Sequence, residues 1–371
     1  MTKKIIYADN AATTQMSQTA LDTMIRYLST DYGNPSQPYS FARTAKNVLK
    51  EARKIIADCI GAKPDEILFT SGGSEGDNWV IRNGFEQGRN IVTSQIEHHA
   101  ILNPCSAVAK HGGMVSYLPV CDNGLICPAD IEESIGFKSL LSIMMANNEI
   151  GTIEPISQYG LISRDKGALF HTDAVQAMGH IEVDVKELGI DLLSASGHKF
   201  NGPKGVGFLY VKSGVSVNPL IYGGAQERGL RAGTENIASI MAMAVALREN
   251  VENLDSNRQH LYSLEDCLLE RLKAANVDFI RNGTNQLPGL VSLSFKDMDG
   301  ESILHRLDLM GICISTGSAC DSKNTQISHV LKATSSPLEY AKGTIRISLG
   351  KYNTIEDIES IAAALIKVTS K

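Results

Sequence analysis

Residues 194–207 read Ser194-Ala195-Ser196-Gly197-His198-Lys199-Phe200-Asn201-Gly202-Pro203-Lys204-Gly205-Val206-Gly207, a lysine boxed in by small and turn-forming residues. Small residues let backbone approach a bound group closely, Ser196 and His198 can donate hydrogen bonds to an anion, and a lysine amine condenses with an aldehyde to a Schiff base. Pyridoxal 5'-phosphate is the aldehyde that suits such a site, and Lys199 is read as its covalent anchor. The same stretch also fits a Gly/Pro surface turn carrying a solvated lysine. The choice between them rests on the rest of the chain.

Upstream, Glu66-Ile67-Leu68-Phe69-Thr70 reads as a strand, followed by Ser71-Gly72-Gly73-Ser74-Glu75-Gly76-Asp77-Asn78 and a helical pattern from Trp79. A strand, a glycine turn and a helix start make a phosphate site, because free N–H groups and the positive end of the helix dipole face the ligand. Ser74 adds a hydroxyl. A competing reading takes Gly72 to Gly76 as G-x-S-x-G, the nucleophile elbow of a serine hydrolase. Against it, the His-Gly-Gly-Met run at 111–114 that could form an oxyanion loop follows the serine instead of preceding it.

Apolar strands at 90–94, 139–145 and 168–172 alternate with helical stretches, the signature of a mostly parallel sheet covered by helices. Three strand ends carry polar groups: Glu97-His98-His99, Asn147-Asn148-Glu149 and Asp173-Ala174-Val175-Gln176. Ligands of open α/β sheets sit beyond the carboxyl ends of strands, so these could converge with Lys199. Singly, each also reads as a satisfied core histidine or a helix cap. Asp9-Asn10-Ala11-Ala12-Thr13-Thr14 reads as a loop or pocket edge, and Gly33-Asn34-Pro35-Ser36 as a turn.

A glycine-rich, basic stretch, Tyr222 to Thr234, precedes one long helical pattern from Asn236 to about Ala275 that bridges to a second, α+β region. Its strands lie near 291–295 and 343–348, and its last helix is capped by Asn353 or Thr354. Cys313, between isoleucines, reads as strand interior. Cys320, among small polar residues, reads as a loop thiol, either idle or working.

The chain of 371 residues is 43% hydrophobic and 20% charged, ordinary for a globular protein of two or three cores. A net charge of −6 without basic blocks argues against nucleic acid or an anionic membrane surface, and points to a small substrate. No signal peptide or spanning run is visible, so a cytoplasmic protein is expected. The 7 cysteines include no C-x-x-C pair and no histidine cluster at zinc spacing, so they are expected to be reduced and no metal is expected.

Taken in order, Asp9 to Thr14, Gly33-Asn34-Pro35, Thr70-Ser71-Gly72, Glu97-His98, Asn147 to Gly151, Asp173 to Gln176, Ser196-Gly197-His198-Lys199, Arg228 to Thr234, Gly317-Ser318-Ala319-Cys320 and Ile345 to Gly350 closely resemble the cysteine desulfurases of the NifS/IscS type. These are pyridoxal-phosphate enzymes of aminotransferase class V and fold type I. The resemblance runs essentially end to end. It implies a large α/β domain with a mixed, mostly parallel sheet over residues 15–249. It also implies a smaller α+β domain from 1–14 and 250–371 that carries Cys320 and Arg346.

By the same resemblance, Lys199 would hold the cofactor and then move protons at the substrate Cα. Asp173 would pair with the pyridine nitrogen, and His98 would stack on the ring and take part in proton transfer. Gln176 and Asn148 would bond the phenolate side, while Gly73, Ser74, Ser196 and His198 would hold the phosphate. Thr234 would reach the phosphate across the interface of a homodimer. Arg346 would fork onto the substrate carboxylate, with Asn34 and Asn148 beside it. Cys320 would attack the sulfur of L-cysteine, leaving alanine and a persulfide for an acceptor protein in iron–sulfur cluster assembly, tRNA thiolation or a specialised pathway.

The chain departs from the pattern at Asp321, where many relatives carry threonine; a neighbouring carboxylate should raise the thiol pKa and disfavour the thiolate, which bears on turnover rate and not on identity. It also lacks the proline common before Ser328-His329-Val330, and the tail by which some relatives engage a scaffold protein, which leaves the acceptor open. A selenocysteine lyase or other class V β-lyase, and a cofactor-binding protein with a partner-binding role, are the alternatives the sequence leaves.

Overall fold

The strands between residues 67 and 211 are apolar at successive positions, which suits a sheet covered on both faces. The computed structural model describes residues 4–317 and 327–369. Among these, β1 (Ile6–Tyr7) stands apart, and seven strands form one sheet: β2 (Ile67–Thr70), β3 (Asn90–Ser94), β4 (Val115–Leu118), β5 (Ser139–Ser142), β6 (Leu169–Asp173), β7 (Leu192–Ser196) and β8 (Gly207–Val211). Their order is β2-β8-β7-β6-β5-β3-β4. The run from β7 to β4 is parallel, and β8 is antiparallel to both its neighbours, so the sheet is mixed and mostly parallel.

Alternation along each strand divides the apolar residues between two faces. Leu68, Ile91, Leu140, Leu192 and Leu209 join Trp79, Ile81 and Ile101 in one cluster. Phe69, Val92, Leu141, Leu193 and Phe208 belong to a larger one on the opposite face. The chain passes from β3 to the edge strand β4 and returns on the far side of β3 as β5. That reversal is where open α/β sheets leave a crevice beyond their strand ends.

The single helix expected from 236 to about 275 is two helices, Ile237–Glu252 and Leu254–Ala274. The break falls at Asn253 (φ −108°, ψ 18°), whose side chain donates to the Glu249 carbonyl. Asparagine competes with the backbone for hydrogen bonds and tolerates a break that leucine would resist. The consequence is a division of labour. Ile240, Met243 and Leu247 enter the large cluster against helices Gln18–Ser29 and Ser40–Cys59. Leu261, Leu264 and Leu268 enter a separate core.

That second core is roofed by β9 (Phe279–Arg281), β10 (Leu290–Phe295) and β12 (Thr344–Ser348), antiparallel in the order β12-β10-β9. β1 pairs in parallel with β11 (Ile312–Cys313), and Asp9 bridges to Ser348, so the first residues of the chain belong with the last. The terminal helix Ile355–Thr369 starts with Thr354 and Asp357 exchanging side-chain and backbone bonds of 3.2 and 3.3 Å. Among the described residues no helix is long and apolar enough to cross a membrane.

Candidate active site

The carboxyl ends of β2, β3, β5, β6 and β7 open onto a cavity of about 530 Å³. Lys199 ends a single 3-10 turn, Gly197–Lys199, directly after β7. Its Nζ donates to the carbonyls of Ala11 (2.5 Å) and Ala12 (3.0 Å). Gln176 Nε2 donates to the same Ala11 carbonyl at 3.0 Å. The segment before Gln15 is fixed to the lysine turn, since Thr14 donates to the His198 carbonyl through both its N–H and its hydroxyl. His180 Nε2 donates to the Lys199 carbonyl at 2.9 Å and closes the turn from below.

Asp173 ends β6, and its Oδ1 accepts the Val175 N–H at 2.9 Å. Burial pushes its carboxyl above the ordinary value, while His98 and Lys199 pull it back. His98 caps helix His99–Lys110 through Nδ1, which accepts the Ala100 N–H at 3.1 Å. A neutral ring with Nδ1 so engaged carries its proton on Nε2. Burial holds its pKa below the usual histidine value.

At the other end of the cavity, helix Gly73–Glu86 begins at Gly72, whose φ of 149° favours glycine and which offers no side-chain cap. The positive end of this helix faces Ser74, Ser196 and His198, all cavity-lining residues. Burial, with Lys199 and Lys204 nearby, pushes His198 down to about 4, so it stays neutral. Arg346, on β12, reaches the cavity from the second core. It donates from Nη2 to Asp9 Oδ1 (2.9 Å) and from Nη1 to the Asn148 carbonyl (2.8 Å).

Of the residues singled out in the sequence, Lys199, Asp173, His98, Gln176, Asn148, Gly73, Ser74, Ser196, His198 and Arg346 line this one cavity. Two do not. Asn34 turns inward on its own loop, where Oδ1 accepts the Ser36 N–H at 2.9 Å. Thr234 lines a separate pocket of about 70 Å³ beside Ser71 and Gly205. Cys320 and Asp321 lie outside the described residues. Gly317, just ahead of them, lines the cavity. Glu149 meets both described flanks of that segment: its Oε2 accepts the Ser328 hydroxyl at 2.5 Å and lies 2.8 Å from where a Cβ on Gly317 would stand. Glu149 was read only as part of a polar strand end, and Asp9, Asp77 and the Ala11 and Ala12 carbonyls were given no site role from the sequence. Backbone acceptors leave no mark in a sequence, though the run Asp9 to Thr14 was legible as a pocket edge.

Residues 6–361 match the family model described as aminotransferase class-V. A curated cysteine desulfurase IscS from Dictyoglomus turgidum is 45% identical over 376 residues, covering 100% of this chain and 95% of the relative. A solved NifS-like protein superposes with a TM-score of 0.93 at 36% identity, covering 98% of this chain and 99% of its own. A structure of SspA in complex with cysteine gives 0.82 at 36% identity, covering 94% of this chain and 100% of its own. The chain belongs to the class-V aminotransferases and, within them, to the cysteine desulfurases, enzymes that depend on pyridoxal phosphate. The serine hydrolase reading falls with that membership. Among the described residues no group of three or more histidine, cysteine or carboxylate side chains could hold a metal ion.

Proposed function

We propose that this chain takes sulfur from L-cysteine, releases L-alanine and leaves a persulfide on Cys320 for an acceptor protein. The observation that carries the reading is the convergence of the Lys199 amine, the Asp173 carboxyl, the His98 ring and the Arg346 guanidinium on one cavity. The donor set fits pyridoxal phosphate: an amine for its aldehyde, a carboxyl for its ring nitrogen, and an uncapped helix start for its phosphate. Arg346 Nε, buried without a partner, fits a substrate carboxylate. The cysteine complex of SspA supports L-cysteine as that substrate.

When bound, the cofactor supplies an electron sink conjugated to the substrate Cα. Lys199 would hold it through Nζ, Asp173 at the ring nitrogen, Gln176 and Asn148 at the phenolate side, and Gly73, Ser74, Ser196 and His198 around the phosphate. Thr234, absent from its own chain's cavity, would serve the phosphate of a second copy in a homodimer. Asn34 would act beside the substrate in the same assembly. Arg346 and Asn148 orient the substrate, and Lys199 takes the Cα proton and returns it. His98 would stack on the ring, with its Nε2 proton available for transfer. The Cys320 thiolate attacks the substrate sulfur: the Cβ–S bond breaks, an S–S bond forms and Cβ gains a proton. Asp321 disfavours that thiolate and slows the step.

The two apolar cores support dividing the chain into 15–249 and 1–14 with 250–371. A cytoplasmic setting fits a thiol that must stay reduced. Iron–sulfur cluster assembly, which the relatives' name IscS suggests, is the acceptor pathway we favour.

Visible spectra and a sulfide assay on L-cysteine with reductant, run on wild type, Lys199→Ala and Cys320→Ala, test this reading. We expect a yellow wild type that releases sulfide, Lys199→Ala without the bound-cofactor band, and sulfide lost in both variants. Alanine formation that survives Cys320→Ala would overturn the persulfide step in favour of a lyase.

A further inference from the structure

Asp77 sits one turn into helix Gly73–Glu86, 1% exposed, where a helical aspartate would ordinarily face water. It is drawn under the sheet because the helix comes very close to β7. A Cβ on Gly76 would stand 2.8 Å from Ser194 Oγ, so only glycine permits the approach. Ser194 is the partner of Asp173 across β7 and β6, so the Asp77 carboxyl is brought against the Asp173 carboxyl, while its Oδ1 has no hydrogen-bond partner.

Two carboxyl groups in hydrogen-bond contact away from water must share a proton, because like charges at that separation cannot both ionise. A cation beside Asp77 could relieve them, and the basic side chain that faces it is His171, whose Nε2 is 3.8 Å from Asp77 Oδ1. His171 does not serve. Its nitrogens are engaged by the hydroxyls of Ser142 (2.9 Å) and Ser194 (3.1 Å), and burial pushes its pKa down to about 3. The third buried carboxyl nearby, Glu97, is pushed by burial up to about 8 and keeps its own proton, so it supplies no charge to the pair. The proton's place follows from the surroundings. Asp173 receives the Val175 N–H and faces Lys199 and His98, which favour its anion. Asp77 is 1% exposed, and burial together with repulsion from the Asp173 carboxylate disfavours its anion.

We propose that Asp77 is a neutral carboxylic acid that donates its O–H to Asp173, a positioning residue that keeps Asp173 ionised and a weak base beneath the cofactor's ring nitrogen. The inference rests on the pairing of Asp173 with that nitrogen. Without the donated hydrogen bond Asp173 would draw the proton off the nitrogen and weaken the electron sink. Asparagine at 77 keeps a donor of the same shape, whereas alanine does not.

The test uses holoenzyme loaded with pyridoxal phosphate carrying 15N in the ring, in wild type, Asp77→Asn and Asp77→Ala. The expected result is a protonated-nitrogen 15N signal in wild type and Asp77→Asn, and a shift toward neutral pyridine in Asp77→Ala with kcat lower by about 10-fold at similar KM. An infrared difference spectrum, wild type minus Asp77→Asn, should show one protonated carboxyl C=O band. Loss of the protonated signal in Asp77→Asn, no 15N change in Asp77→Ala, or no carboxyl band would each overturn the proposal. The infrared arm decides even where Asp77→Ala fails to fold. A wild type whose own nitrogen is unprotonated would instead sink the Asp173 pairing.

Discussion

Arg346 and Asp9, 337 positions apart in the chain, form a 2.9 Å ion pair at the wall of the cavity, with side chains only 4% and 20% exposed. The Asn148 carbonyl takes Nη1, so the planar fork is held in one orientation. Lysine at 346 would keep the charge and lose the fork. Arg346→Lys is expected to raise KM for L-cysteine by roughly 10- to 100-fold, the worth of a charge-assisted bidentate contact. The bound-cofactor spectrum should not change; steady-state kinetics with a spectrum of each preparation checks both.

His98 caps its helix through Nδ1, and the proton donation we propose for it would use Nε2. Asparagine is a good N-cap and has no imidazole. In His98→Asn, turnover should fall while the urea midpoint stays near wild type. In His98→Ala both should fall, the stability by about 1 kcal/mol. Equal destabilisation of the two variants would show that the cap contact contributes nothing.

Two buried groups give the stability opposite pH slopes. Burial pushes Glu97 from 4.5 up to about 8, so the folded protein keeps a proton that the unfolded chain releases. Its contribution is complete below pH 4.5 and is lost as pH rises toward 8. Burial pushes His171 from 6.5 down to about 3, so its contribution is complete above pH 6.5 and is lost as pH falls toward 3. Glu97→Gln, a neutral isostere, should flatten the fall in melting temperature between about pH 5 and pH 8 without changing the slope below about pH 4. Scanning calorimetry across that range checks it.

The loop that carries Thr234 is braced by a buried fork. Glu227, 6% exposed and with a φ of 46°, takes Arg53 through both oxygens at 2.9 and 2.5 Å and also accepts the Phe69 N–H. Arg53 stacks over the Phe69 ring at 4.4 Å. Arg53→Ala leaves a buried carboxylate without its cation and should cost about 3 kcal/mol in a urea titration. Arg53→Ala combined with Glu227→Gln should recover part of that loss, as expected when the uncompensated charge dominates.

The sheet was legible because its strands are short apolar runs ended by turn chemistry, and because each polar strand end, at His98, Asn148, Asp173 and Lys199, lies where a parallel sheet puts ligands. Period alone failed at Asn253, where the helical pattern runs on through a break that the asparagine side chain makes by bonding back to the Glu249 carbonyl. It failed again for Asp77, whose place on an otherwise ordinary helix depends on Gly76 meeting Ser194 across the sheet. Asp9 was visible as part of a polar edge, but its partner stands at the other end of the chain, and no local pattern announces such a pair. Carbonyls of Ala11 and Ala12 holding Lys199 are backbone chemistry that side-chain reading cannot see.

The pairing of β1 with β11, of Asp9 with Ser348 and of Asp9 with Arg346 also orders events in time. A chain leaving the ribosome can close the large sheet and seat Lys199 while most of residues 250–371 are unmade. The first strand must then wait, unpaired, for a partner some three hundred residues later, and closing so long a loop is slow. Arg346 joins Lys199 at the cavity only when synthesis is nearly over. An incomplete chain therefore lacks the Arg346 guanidinium at the cavity wall, and loss of either end opens the same seam.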